Sequence, residues 1–192
     1  MFDNKKIEKA KDKSLELLHN LSNNKGFVAS FVDIDNYKRV FSRDGVIAGI
    51  SALFFDDEKL NNTFRETLLT LKKHQDETGR IPSNVSLDEK LISYGTTVGR
   101  IDSTLWYVIG FSKYYLHTKD EAFLNQFKDS IQKSFFYLKC VELNGRGLIY
   151  IPPGGDWSDE YINEGYVLFD QLLYLFALFP IHFTILPSPL AI

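Results

Sequence analysis

The stretch GRIDSTLWYVIGFSKYYLHTKD (residues 99–120) decides the fold that this chain is expected to adopt. After Asp102 it is dominated by apolar and aromatic residues as far as Lys119, which predicts a helix. Asp102 and Trp106 lie one helical turn apart and therefore share a face. A carboxyl group beside an indole at the start of a helix is typical of sites where sugars are bound and cleaved. The carboxyl transfers a proton, while the ring stacks on the sugar and raises the pKa of the carboxyl by excluding water.

The rest of the chain predicts an all-α fold of helical hairpins. Hydrophobic periodicity predicts five further helices, over residues 5–21, 44–54, 57–75, 120–142 and 166–179. Asp44, Asp57 and Asp120 are the expected N-caps of three of them. Short β pieces are expected within residues 26–45 and a short strand over 148–151, while residues 76–99 and 152–165 read as long loops. Long loops that alternate with short turns favour αα-hairpins around an axis, with the long loops at one end.

Composition narrows the class of protein. The chain has 192 residues, enough for one domain with a core, and a net charge of −3 without a basic stripe, so no nucleic-acid partner is expected. The four histidines lack ligand spacing, and neither a metal site nor a cofactor is expected. The single cysteine, Cys140, lies in an apolar run and is expected to be a buried, inert thiol. The charged N-terminus has no signal-peptide core, which predicts a cytoplasmic location.

The C-terminal residues 179–192 form an atypical apolar tail. The chain is uncharged from Leu172 to Ile192, nominally long enough to span a membrane. Asp170 and Gln171 interrupt the start of this segment, three prolines interrupt its end and no basic flank follows, so a membrane partner is not expected.

Three segments together resemble one group of enzymes in order and spacing. The segments are NYKRVFSRDG (36–45), GRIDSTLWYVIGFSKYYLHTKD (99–120) and EGYVLFDQLLYLFAL (164–178). They are similar to segments of the (α/α)6-barrel glycoside hydrolases: the neutral/alkaline invertases, the glycogen-debranching amylo-α-1,6-glucosidases and the mannosylglycerate hydrolase relatives. GGDWSDE (154–160) is most similar to the bacterial members. The resemblance covers most of residues 26–178. It implies that residues 1–178 form part of an (α/α)6 toroid, the six-hairpin glycosidase fold.

The resemblance also implies roles for particular residues. Asp102 matches the general acid of inverting hydrolysis, and Arg43 with Asp44 matches a pair that binds sugar hydroxyls. Further substrate-binding residues are expected in the loop 154–160 and around the helix starts: Tyr37, Arg100, Trp106, Asp156, Trp157, Asp159 and Glu160. Tyr94 and Tyr166 are weaker candidates of the same kind.

Each of these residues also has an alternative, purely structural interpretation. Asp102 can be a plain N-cap, Arg43 and Asp44 a cap with a surface ion pair, and Trp106 a core residue. Residues 156–160 can form an acidic turn in which the ring of Trp157 packs on the rim of the fold.

The expected function is that of a glycoside hydrolase fragment. The resembled enzymes take their catalytic base from a glutamate late in a six-hairpin barrel, and this chain supplies about half of the hairpins. The base is therefore expected to be missing, although Glu160 is a second possibility, and the chain alone is expected to be inactive. The implied substrate is a small or oligomeric sugar, such as sucrose, an α-glucoside or a glucosyl or mannosyl solute. The alternative is a non-catalytic carbohydrate-binding or helical scaffold module.

Overall fold

A computed structural model describes residues 3–95, 99–158 and 161–184, with side chains as far as Phe179. This part of the chain is mostly helical. It forms α1 (Asn4–Leu21), α2 (Ser42–Ala52), α3 (Glu58–Lys73), α4 (Ile101–Thr118), α5 (Glu121–Cys140) and α6 (Leu168–Thr184), and a 3-10 turn, Leu53–Phe55, follows α2. Five short strands lie in the connections: β1 (Ser22–Asn23), β2 (Gly26–Phe27), β3 (Arg39–Phe41), β4 (Asn84–Ser86) and β5 (Ile92–Ser93). The described fold is thus helical with short β pieces, as the sequence predicts.

Helix α4 lies at the centre of the packing. It contacts α2 on one side and α6 on the other, and it also packs against α3 and α5. Phe111 of α4 stacks on Phe123 and Phe127 of α5, with 5.6 Å between ring centroids in each pair. The aromatic run that predicts this helix is therefore its packing surface as well, since most of its side chains are buried.

Two glycines allow α2 to approach its neighbours closely. A Cβ atom on Gly49 would overlap the ring of Phe64 in α3, and one on Gly110 of α4 would lie 2.9 Å from Cγ1 of Val46 in α2. Both glycines have helical backbones, so the missing side chain serves close helix packing rather than an unusual turn.

A small antiparallel sheet fixes the start of α2. The strand order is β3-β4-β5, with Val40 paired to Val85 and Phe41 to Asn84. Because β3 ends at Phe41, immediately before α2, the sheet holds the first turn of α2 in place. The predicted loop 76–99 therefore contains a β-hairpin.

The strand predicted over residues 148–151 is absent from the described part of the chain. Ile151 instead forms an isolated bridge with Gly165, through backbone hydrogen bonds of 2.9 and 2.7 Å. A single bridge is enough to close the base of the loop that follows. Residues 148–151 do not form a strand because no described neighbouring segment extends the pairing beyond this bridge.

Aspartates cap α1, α3 and α5. Asp3, Asp57 and Asp120 each accept a backbone N–H of their helix at 3.0 Å. The prediction that Asp44 caps α2 is wrong. The sheet starts that helix at Ser42, two residues before Asp44, and Phe41 is in the N-cap position.

Cys140 and the apolar C-terminal segment differ in how they compare with the sequence prediction. Cys140 is exposed rather than buried, because it is the last residue of α5 and lies off the packed face of that helix. Among the described residues, no helix combines the length and the apolar character that a membrane crossing requires. The apolar tail begins inside α6, and residues 185–192 lie outside the described part of the chain.

Candidate functional site

Asp102 lies at the buried start of α4. It is the second residue of that helix, and its side chain is 1% exposed. The N-cap is Arg100, and no side chain caps the helix, so the interpretation of Asp102 as a plain N-cap is wrong. The N–H of Ile101 donates instead to the carbonyl of Gly155 at 2.7 Å, which ties the helix start to the loop before α6.

One oxygen of Asp102 is paired, and the other is not. Nη1 of Arg43, in the first turn of α2, donates to Oδ2 of Asp102 at 3.0 Å. Oδ1 is buried and has no hydrogen-bond partner among the described residues. A buried carboxyl group with one unoccupied oxygen is suited to hold a proton there.

Burial raises the pKa of Asp102 to about 6. This value already includes the positive charges of Arg43 and Arg100, which lower the pKa, and the negative charge of Asp156, which raises it. Desolvation is the largest cause, since a carboxylate removed from water loses most of its hydration. The group is therefore largely protonated in mildly acidic solution.

The loop 152–158 brings a second buried carboxylate next to the start of α4. Nη1 of Arg100 donates to the carbonyl oxygen of Asp156. Oδ1 of Asp156 accepts the N–H of Ser158 at 2.8 Å, and Oδ2 accepts Nδ2 of Asn163 at 3.0 Å. Asp156 therefore organises its own loop, and each of its oxygens is occupied by a donor of the protein.

The third carboxyl group of the site belongs to Asp170, in the first turn of α6. Asp170 is fully buried, and neither of its carboxyl oxygens accepts a hydrogen bond of normal geometry from a described residue. The pKa of Asp170 is raised to about 7, chiefly by burial and in part by the negative charges of Asp102 and Asp156. Arg43, Asp102 and Asp170 thus stand in the first turns of α2, α4 and α6, the three helices that pack side by side.

Asp170 is not among the site residues that the sequence predicts, where it stands only as an interruption of an apolar segment. The available signal was that Asp170 is the only charged residue of α6 in the sequence LFDQLLYLFALFPIHFT. Aspartate is seldom fully buried unless it is paired, so a lone carboxyl group in an otherwise apolar helix indicates an unusual environment.

The two tryptophans have different surroundings. Trp106 lies one turn after Asp102 and packs partly against the core, and its Nε1 is buried without a partner among the described residues. Trp157 is 46% exposed and meets the ring of Phe169 edge to face at a centroid distance of 6.3 Å. Trp106 therefore offers a buried donor, and Trp157 a ring that a ligand can reach.

The other predicted residues are less closely connected to Asp102. Tyr37 is 52% exposed and stacks on Phe41, and Asp44 is exposed in the first turn of α2. Within the described residues, no hydrogen bond or ion pair joins either of them to Asp102. Asp159 and Glu160 lie outside the described part of the chain.

The site combines carboxyl groups, guanidinium groups and an indole. In the part of the chain that the structure describes, no group of three or more His, Cys, Asp or Glu side chains is arranged to hold a metal ion. Three buried carboxyl groups, two arginines and an indole N–H remain, and such groups bind hydroxyls and exchange protons. No protein-family model matches the chain, and no curated protein sequence matches it.

Proposed function

We propose that this chain is part of a glycoside hydrolase in which Asp102 is the general acid of an inverting reaction. The observation that carries the proposal is the state of Asp102: it is buried, Arg43 holds one of its oxygens, the other is unoccupied, and its pKa is about 6. A general acid must keep its proton close to working pH, and burial provides that property here.

In the proposed reaction Oδ1 of Asp102 carries the proton. It passes this proton to the glycosidic oxygen as the bond to the sugar carbon breaks, while a water molecule attacks that carbon from the opposite face and releases one proton. Arg43 stabilises the Asp102 carboxylate that remains. The raised pKa predicts that activity falls as the pH rises through about 6, because Asp102 then loses its proton. The proposed substrates are a small or oligomeric glycoside of the classes that the sequence resemblance implies. No residue is assigned as the base.

The helix arrangement supports an (α/α)6 barrel as the parent fold. In such a barrel the inner helices stand side by side and present one end to the substrate. Here α2, α4 and α6 are neighbours, and their first turns supply Arg43, Asp102 and Asp170. The side of α6 turned away from α4 carries exposed apolar residues, which a further hairpin would cover in a barrel. These residues are Leu168, Leu172, Leu175, Phe176 and Phe179.

Because the catalytic base is expected to be missing from this chain, the test supplies azide as an external nucleophile and compares leaving groups in wild type and in Asp102→Asn. The substrates are sucrose and, for both glucose and mannose, the methyl glycoside and the 2,4-dinitrophenyl glycoside. Loss of a general acid is expected to slow the methyl glycosides and sucrose by about 10²–10⁴-fold. The dinitrophenyl glycosides are expected to lose far less, because their leaving group departs without a proton.

The matched control is Asp12→Asn, the same change at an exposed position in the middle of α1. It is expected to leave all rates within about twofold, because the proposal gives Asp12 no contact with substrate. Equal losses on both leaving groups in Asp102→Asn would indicate a structural role for Asp102, and unchanged rates would remove it from the mechanism.

A non-catalytic carbohydrate-binding module is the second candidate. It is supported by the ring of Trp157, which packs against Phe169 but is 46% exposed and so can stack on a sugar. Calorimetric titration with the same sugars distinguishes the two candidates. Binding that Trp157→Ala abolishes, without any hydrolysis, would favour the module.

A further inference from the structure

Helix α6 is apolar on two opposite faces. One face packs on α4, and its residues Asp170, Leu173 and Ala177 are buried. The opposite face carries large apolar side chains that are 46–71% exposed: Leu168, Leu172, Leu175, Phe176 and Phe179. A helix that is apolar around most of its circumference is normally buried on all sides. The exposed face of α6 is therefore suited to contact another apolar surface.

The exposed face of α6 has the spacing by which two helices pack together. Leu168, Leu172, Leu175 and Phe179 follow one another at intervals of four, three and four residues. This is the pattern with which one helix inserts its side chains between those of another. Asp170 is the only charged residue between positions 168 and 179, and it lies on the buried face. An uncharged helix face therefore fits the exposed face of α6 better than a charged surface does.

These four residues are also arranged symmetrically along the helix. The midpoint between Leu168 and Phe179 is the midpoint between Leu172 and Leu175 as well. When two copies of α6 lie antiparallel about a twofold axis at this point, Leu172 of one copy meets Leu175 of the partner subunit. In the same register, Leu168 meets Phe179 of the partner subunit. The face is thus complementary to itself, as an interface between two identical subunits requires.

The apolar area of this face reaches the lower limit for a specific contact between proteins. At roughly 150–200 Å² for a fully exposed side chain of this size, the five exposed residues offer about 500 Å² per copy. Two copies together would bury about 1,000 Å², which indicates a reversible dimer and not a permanent one. Helix α6 is already formed by its packing on α4, so little chain ordering opposes the association.

We propose that the exposed face of α6 is the interface of a twofold-symmetric dimer of this chain, in which the two α6 helices lie antiparallel. Leu172 and Leu175 form the centre of the contact. In the (α/α)6 barrel of the proposed function a further hairpin would cover the same face, so the dimer is an arrangement of the 192-residue chain by itself. It depends on the apolar face of α6 and not on sugar cleavage.

The experiment is sedimentation equilibrium of the whole chain from about 1 µM to about 200 µM, the range expected for a reversible contact of this size. Wild type is expected to change from monomer to dimer across this range. Leu172→Glu and Leu175→Lys are each expected to weaken the dimer about 100-fold or more, because each places an unpaired charge at the centre of an apolar contact.

The matched controls are Phe54→Glu and Phe54→Lys, which place the same charges on the 3-10 turn after α2. Phe54 is 86% exposed, so it tests whether any exposed apolar residue promotes association. Both controls are expected to dimerise as wild type does. Far-UV circular dichroism checks that each variant is folded, and either α6 variant can be read if the other fails to fold.

An equimolar mixture of Leu172→Glu and Leu175→Lys tests the antiparallel register. In that register the introduced glutamate of one copy meets the introduced lysine of the other, while the remaining Leu175 and Leu172 meet as before. The mixture is therefore expected to dimerise at low salt although neither variant does so alone. A parallel pair would place each introduced charge against a leucine, and mixing would restore nothing.

The proposal is overturned if wild type stays monomeric at the highest concentration, or if the α6 variants associate as wild type does. Equal weakening by the Phe54 variants would indicate unspecific association and would also overturn it. A mixture that stays monomeric would remove the antiparallel register. A dimer without any hydrolysis would keep this interface and remove the glycosidase, whereas hydrolysis by a strictly monomeric chain would do the reverse.

Discussion

At the scale of single residues, Asp102 and Asp170 are the same amino acid at similar positions of adjacent helices, but only one has a cation. Arg43 donates to Asp102 at 3.0 Å, while neither oxygen of Asp170 accepts a hydrogen bond of normal geometry from a described residue. The pKa rises to about 6 for Asp102 and to about 7 for Asp170, and burial is the largest cause in both. The order of the two pKa values follows from the arginine, since a neighbouring positive charge favours the ionised form.

Glu89 shows the opposite behaviour in a structural cluster. It is held by Lys25 and Lys73 and by Nε2 of His74 at 2.9 Å, and it joins the turn between β4 and β5 to α3. The hydrogen bonds from Lys25, Lys73 and His74, in that order of size, lower the pKa of Glu89 to about 2. The cluster thus stabilises the folded state wherever Glu89 is ionised.

Glu89→Gln is expected to destabilise the protein by about 1–2 kcal/mol at pH 7, a figure reduced for the solvent exposure of Lys73. The folded-state pKa of Glu89 lies below its ordinary value of 4.5, so this contribution is complete above pH 4.5 and disappears as the pH falls toward 2. Urea unfolding at pH 7 and pH 3 measures it. Glu77→Gln, an exposed glutamate nearby, is the control, and a loss that is equal at both pH values would contradict the charge mechanism.

At the scale of elements, the helices fall into two groups, those whose first turn is capped by an aspartate side chain and those without such a cap. Asp3, Asp57 and Asp120 use their carboxylates to cap α1, α3 and α5. Helices α2 and α4 have no side-chain cap, and their acidic residues, Asp44 and Asp102, lie inside the first turn, as Asp170 does in α6. The start of α4 is fixed instead by a contact with the loop before α6, which leaves its carboxyl group available for the site.

Gly49→Ala is expected to disturb the packing of α2 on α3. Alanine has the better helix propensity, but its methyl group would overlap the ring of Phe64. Overpacking of this kind costs about 1–3 kcal/mol, which exceeds the gain in propensity. Urea unfolding measures the change, with Ser51→Ala on the exposed side of α2 as the control. A Gly49→Ala variant that is as stable as wild type would show that Phe64 moves aside freely.

At the scale of the whole molecule, the site and the Glu89 cluster give stability opposite dependences on pH. The folded-state pKa values of Asp102 and Asp170 lie above their ordinary value of 3.8. Their contribution is therefore complete below pH 3.8 and is lost as the pH rises through about 6 and 7. Glu89 loses its contribution in the other direction, as the pH falls below 4.5.

Wild-type stability is therefore expected to be greatest at about pH 3.5–4 and to fall on both sides. Asp170→Asn is expected to flatten the decline above this range and to be more stable than wild type at pH 8 by about 1–3 kcal/mol, since it removes a buried unpaired charge. Thermal and urea unfolding from pH 3 to pH 8 give the curve, with Asp44→Asn as the control. A wild-type stability that rises steadily from pH 4 to pH 8 would contradict the buried-carboxyl explanation.

The sequence was a good guide to the helices and a partial guide to the site. Apolar periodicity and the caps Asp57 and Asp120 predicted α3 and α5 closely, because both signals act within a few residues. The strand over residues 148–151 and the burial of Cys140 were predicted wrongly, since strand pairing and burial depend on distant neighbours. The glycosidase assignment and the roles of the other site residues stay predictions.

The sequence by itself determined that the chain forms helices and that an aspartate stands at the start of an aromatic one. Only the tertiary structure decided what that aspartate meets. Arg43 lies 59 residues before Asp102 and is brought to it by the packing of α2 on α4. Asp170 reaches the cluster through the packing of α6 on α4. Local propensities act over one or two helical turns, whereas burial and charge coupling depend on which helices pack together, and these long-range contacts turn a residue at a helix start into an acid with a raised pKa.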